Sequence, residues 1–117
     1  MNPPQTGAPS QTLDALATVV GLLEGARLAA EASTHGDNLS PWADVAMSAH
    51  LAAAGLRQLL PWPPQTRMVA DCRSSLAAAA EELGRLDSGI GLPVEDVVLA
   101  RGWLATAIAD VERLLRP

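Results

Sequence analysis

The sequence predicts an all-α protein, an antiparallel up-down-up-down four-helix bundle. Three observations carry this expectation. Ala (22) and Leu (18) far outnumber the residues that favour strands, with eight Val, two Ile, no Phe and no Tyr. Four segments of 20 or more residues keep apolar side chains at the 3-4 spacing of a helix, and Pro and Gly gather mostly between them. With 49% hydrophobic residues, a chain of 117 residues can bury one core, so a single domain is expected.

Residues 1–10, with three Pro, read as a flexible leader ahead of a bundle over 11–117. They lack the positive start and apolar run of a signal peptide. Helix 1 is expected from Gln11 to Thr34, capped by Ser10 or Thr12 and stopped by His35-Gly36-Asp37-Asn38. Its seam is Leu13, Leu16, Val20 and Leu23. Gly21 and Gly25 predict a close backbone approach, because each weakens a helix by about 1 kcal/mol relative to Ala unless packing offsets it. The window from Leu13 to Ala30 is long enough to cross a bilayer. Asp14, Glu24 and Arg27 interrupt it, and each is costly at membrane depth, so a soluble helix is expected.

Helix 2 should begin at Ser40-Pro41, a capping hydroxyl followed by a proline whose missing N–H is harmless at the first helical position. It runs to Leu60, with Val45, Ala49, Ala52, Leu56 and Leu59 inward. Pro61-Trp62-Pro63-Pro64 removes donors and restricts the residues before each ring, so the chain must turn there in extended form. Helix 3 is expected from Gln65 to Leu86, with Val69, Cys72, Leu76, Ala79, Leu83 and Leu86 as its seam. Helix 4 opens at Pro93 and reaches about Arg116, with Val97, Arg101, Leu104, Ile108, Val111 and Leu115 inward. Short joints predict antiparallel neighbours crossing near 20°.

The bundle carries the mark of a duplicated hairpin. Pro41-x-x-Asp44-Val45 and Pro93-x-x-Asp96-Val97 match at an offset of 52 residues, and Glu24-x-x-Arg27-Leu28 matches Glu82-x-x-Arg85-Leu86 at an offset of 58. Two hairpins related by a pseudo-twofold axis would produce this pattern. Asp44 and Asp96 suit helix starts, and Arg27 and Arg85 suit helix ends, through the helix dipole. Bridges from Arg27 to Asp44 or from Arg85 to Asp96 would also tie each hairpin together.

Eight Arg, no Lys and 13 acidic residues leave a net charge of −5, which provides no basic stripe for nucleic acid or for an anionic membrane. The lone Cys72 excludes an intrachain disulfide and suits a reducing cytoplasm, as a buried and inert thiol. Catalytic motifs are scarce. Glu31 and His35 form a single i, i+4 pair, too few for a di-metal bundle. The paired E-x-x-E or E-x-x-D carboxylates of all-α nucleotide pyrophosphohydrolases are missing, as is the Lys of a phosphate-binding loop. No cofactor and no catalysis are therefore expected.

Two features carry functional expectations. Placing the seams of helices 2 and 4 inward turns Met47, Leu51, Leu99 and Trp103 outward, together with Leu114. Met47 corresponds to Leu99 and Leu51 to Trp103 under the 52-residue offset. A second apolar stripe predicts an interaction surface for a homodimer or a partner helix, and hence a non-catalytic assembly module. Trp42 and Trp62 are expected to cap the two ends of the core. The other feature is Arg101 in an apolar seam, where a cation needs a partner. With His50 and Arg57 nearby in the pattern, it offers an alternative function, a bundle that senses a small molecule or anion.

Overall fold

The structure, a computed structural model, describes residues 10–67, 71–86 and 92–116. Four helices and no strand occur among them: α1 (Ser10–Ser33), α2 (Pro41–Arg57), α3 (Cys72–Arg85) and α4 (Val94–Leu115). Residues 1–9 of the expected leader lie outside the described residues, and Ser10 already belongs to α1.

Local chemistry explains most of the boundaries. At the end of α1 the Thr34 N–H donates to the Glu31 carbonyl, and His35 (φ 50°) and Gly36 (φ 81°) enter the left-handed region that ends helices. The Ser40 hydroxyl accepts from the Trp42 N–H at 3.2 Å, and Pro41 opens α2 behind it. α4 starts after Pro93 with no side-chain cap, and Glu95 and Asp96 in its first turn favour the dipole instead.

Helix 3 is shorter than its expected start at Gln65. The Asp71 carboxylate accepts from the Ser74 N–H at 2.7 Å, and this cap fixes the start at Cys72. Val69 of the expected seam lies outside the described residues. α2 likewise stops at Arg57, three residues early, so Leu59 and Leu60 reach the core from a turn. The Ser74 amide holds the Asp71 carboxyl below its ordinary value of 3.8, with a smaller contribution from the charge of Arg73. A carboxylate whose pKa is lower in the folded state stabilises the fold above its unfolded value, and that contribution is lost as pH falls through the folded one. Melting temperatures measured between pH 5 and pH 2 should therefore fall less steeply in Asp71→Asn, which keeps the cap without the charge.

The link between α2 and α3, residues 58–71, is longer than a hairpin joint and sets the topology. Arg67 donates its N–H to the Gly21 carbonyl at 2.9 Å, so this strap lies against the middle of α1. Pro41 and Asp44 share one groove with Asp110, Arg113 and Leu114, so α2 and α4 run antiparallel. Arg73 pairs with Glu112, while Ala80 and Leu83 lie beside Leu104 and Ile108, so α3 and α4 also run antiparallel. The packed pairs are α1 with α2, α2 with α4, α4 with α3 and α3 with α1. Every neighbour is antiparallel, as expected of the bundle, but the senses run up, down, down, up. The strap returns the chain to the end where α2 began, so α3 descends beside α1 and lies diagonally across from α2. Under the hairpin repeat read from the sequence, α1 would correspond to α3 and α2 to α4.

This path encloses α1. Residues 19–26 are all buried, because α2, α3 and the strap cover it from three sides. A helix apolar all round is stable only when surrounded in this way, which accounts for the long hydrophobic window read from the sequence. The core is small-residue and aliphatic: Leu16, Val19, Val20, Leu23, Val45, Leu56, Leu76 and Ala79 are fully buried. Leu115, expected inward, is 48% exposed because the helix ends there.

Candidate interaction surface

Three of the four residues expected to associate, all on α2 or α4, are exposed. Asp44 lies beside Asp110, and stepping down both antiparallel helices at 1.5 Å per residue brings Leu51 level with Trp103. Met47 lies one turn toward the start of α2, and Leu99 one turn toward the start of α4. Met47 is 57% exposed, Leu99 63% and Trp103 40%, while Leu51 is half-buried. Met47, which also lines the groove between α1 and α2, corresponds to Leu99 under the 52-residue offset, and Leu51 corresponds to Trp103. Leu114 instead packs against the core, in the groove with Pro41 and Asp44. Trp42 packs on the core as expected, and Trp62 is 41% exposed in the strap.

The three residues of the ligand-binding alternative do not converge. Arg101 is half-buried at the edge between α3 and α4, beside Leu83 and Gly102, rather than inside the bundle. His50 is exposed in the groove between α1 and α2, with Arg27, Glu31 and Met47. Arg57 reaches α1, where its Nη2 lies 3.2 Å from a Glu24 carboxylate oxygen. The helical stripe alone placed Arg101 inward, but the position sits on the flank facing α3, where a long side chain reaches solvent.

The polar residue that sequence pattern missed is Glu24. It is only 7% exposed, and Arg27 donates to its Oε2 from Nε and Nη2 at 3.0 and 2.8 Å while Arg57 reaches its Oε1. Arg27 also donates to Glu31 at 2.8 Å, so it is committed within α1 and does not bridge to Asp44. Arg85 likewise pairs with Glu81 and Glu82 in its own helix, not with Asp96. The signal for Glu24 lay in its place as the single charge in the segment from Val19 to Ala26, otherwise apolar or glycine, which only enclosure of α1 turns into burial.

Among the described residues no three His, Cys, Asp or Glu side chains cluster in a way that could hold a metal ion. Cys72 is buried, and burial, with a smaller contribution from Asp71, pushes its thiol up to about 11. Roughly a thousandth of it is thiolate at pH 8, so it is a poor nucleophile. Its reaction with a disulfide reagent should be slow in the native protein and become fast on adding denaturant. No described helix is long and apolar enough to cross a membrane. Comparison with known proteins returns no match: no family model fits the chain, and no curated protein or solved structure is similar to it.

Proposed function

We propose that this protein is a non-catalytic assembly module that associates with a second copy of itself through the outer face of α2 and α4. Met47, Leu51, Leu99 and Trp103 supply the contact. The observation that carries this reading is the exposure of three large apolar side chains, Met47, Leu99 and Trp103, on two adjacent helices, with Met47 and Leu99 at positions that correspond under the internal repeat. Apolar side chains scattered singly need no partner, but a stripe centred on a tryptophan has the make-up of a binding hot spot. A surface made of positions that repeat along the sequence would also suit an isologous interface, in which one surface meets its own copy.

The chemistry elsewhere supports a module that does not react. The thiol is buried with a raised pKa, and the buried carboxylate is held by two guanidinium groups. A reducing cytoplasm suits a chain with one buried cysteine, and the acidic balance disfavours nucleic acid as a partner.

Sedimentation equilibrium tests this reading. The parent should form dimers, and Trp103→Ala should weaken association at least about tenfold, a change of roughly 1.4 kcal/mol, with helicity unchanged by circular dichroism. A monomeric parent, or a Trp103→Ala dimer as tight as the parent, would overturn it.

A further inference from the structure

The two hairpins are not packed alike, and the difference opens a groove. α3 and α4 make the sparsest contact of the four packed helix pairs. In the first hairpin, Ala49, Ala52, Ala53 and Leu56 are all fully buried. Their counterparts at the 52-residue offset are Arg101, Leu104, Ala105 and Ile108. Of these only Leu104 is buried; Arg101 and Ile108 are half-buried and Ala105 is exposed. The space left between α3 and α4 is a groove of about 460 Å³, lined by these four with Ala80, Leu83 and Gly102.

The composition of the groove limits its occupant. Its walls are aliphatic, and among the described residues Arg101 is the one charged side chain that lines it. Further along the same two helices, toward the start of α3, Arg73 pairs with Glu112 at 2.8 Å and bridges them. From Arg101 to Ile108 the floor runs about 10 Å along α4, the length of an aliphatic chain of roughly eight to ten carbons. The volume lies in the range of small-molecule sites, which are mostly apolar with a few polar groups fixing orientation. Arg101 already takes part in a contact within the subunit. A guanidinium carries five N–H donors, so a second, anionic partner can still be accommodated.

We propose that the α3–α4 groove binds a medium-chain anionic amphiphile, with the aliphatic chain against Ala80, Leu83, Ala105 and Ile108 and the head group on Arg101. Apolar burial supplies affinity and the guanidinium supplies selectivity for the anion. The site is separate from the α2–α4 face, so it stands independently of self-association.

Calorimetric titration of the full chain with sodium decanoate, kept below micelle formation, and with 1-decanol, kept below its solubility limit, tests the assignment. The parent should bind one decanoate saturably and 1-decanol at least about tenfold more weakly. Arg101→Gln should bring the two ligands to equal affinity, and Arg101→Lys should keep part of the preference. Because replacing Arg101 also disturbs its contact within the subunit, Gly102→Leu provides a second test. A Cβ built on Gly102 meets nothing within 4 Å, so this variant should keep its helicity, fill the groove and bind neither ligand. The proposal is overturned if the parent shows no saturable binding or prefers 1-decanol, or if Gly102→Leu binds decanoate as the parent does.

Discussion

Replacing Gly21 by alanine is expected to destabilise the protein by about 2 to 4 kcal/mol, read as a fall in melting temperature of roughly 10 °C. A Cβ built at this position lies 2.2 Å from the Gln65 carbonyl oxygen, a distance no real contact reaches. The obstacle is backbone, so no side-chain rotation relieves it. Either the strap lifts, giving up the bond from the Arg67 N–H to the Gly21 carbonyl, or α1 shifts within a core that encloses it. Gly55→Ala supplies the contrast, because nothing lies within 4 Å of its added methyl. That substitution should stabilise α2 by up to about 1 kcal/mol, as alanine does for glycine within a helix. Equal effects of the two substitutions in thermal melts would show that the strap does not lie on Gly21. Hydrogen exchange gives a second reading, since the Arg67 amide should lose protection in Gly21→Ala and keep it in Gly55→Ala.

Glu24→Gln should cost about 2 kcal/mol in denaturant unfolding. The carboxylate is nearly buried and balances two guanidinium groups, so neutralising it leaves Arg27 and Arg57 facing each other across the α1–α2 contact. Breaking a fully buried ion pair costs about 3 to 5 kcal/mol; here the figure is smaller because Arg57 is half-exposed and can turn to solvent. Arg57→Ala should accordingly cost at most about 1 kcal/mol, since Arg27 still holds the carboxylate. A Glu24→Gln variant as stable as the parent would mean that the charge has no structural role. The substitution leaves Met47, Leu51, Leu99 and Trp103 untouched, so the proposed self-association should not change once the variant is folded.

The helical periods and caps were legible because they depend on residues close in sequence. The hydroxyl of Ser40 before Pro41 and the left-handed turn at His35-Gly36 act on their own helix ends, and both appear where the pattern placed them. The start of α3 was less legible. Gln65 to Arg67 have no feature that forbids a helix, and it is the contact with Gly21 that holds them extended. The apolar positions of α2 and α4 were also readable, and with them the outward placement of Met47, Leu99 and Trp103. The burial of Glu24 and the edge position of Arg101 were not, because a single stripe does not say how many neighbours surround a helix.

The amino-acid sequence by itself determined the all-helical class, the number of helices, most of their ends and the apolar faces, through interactions that reach only three or four residues along the chain. The tertiary structure alone decided that α3 descends beside α1, that the strap crosses α1 at Gly21, and that the second hairpin stays open where the first is sealed. These follow from which faces fit together at close range, and such fit depends on residues far apart in sequence whose meeting no local pattern encodes.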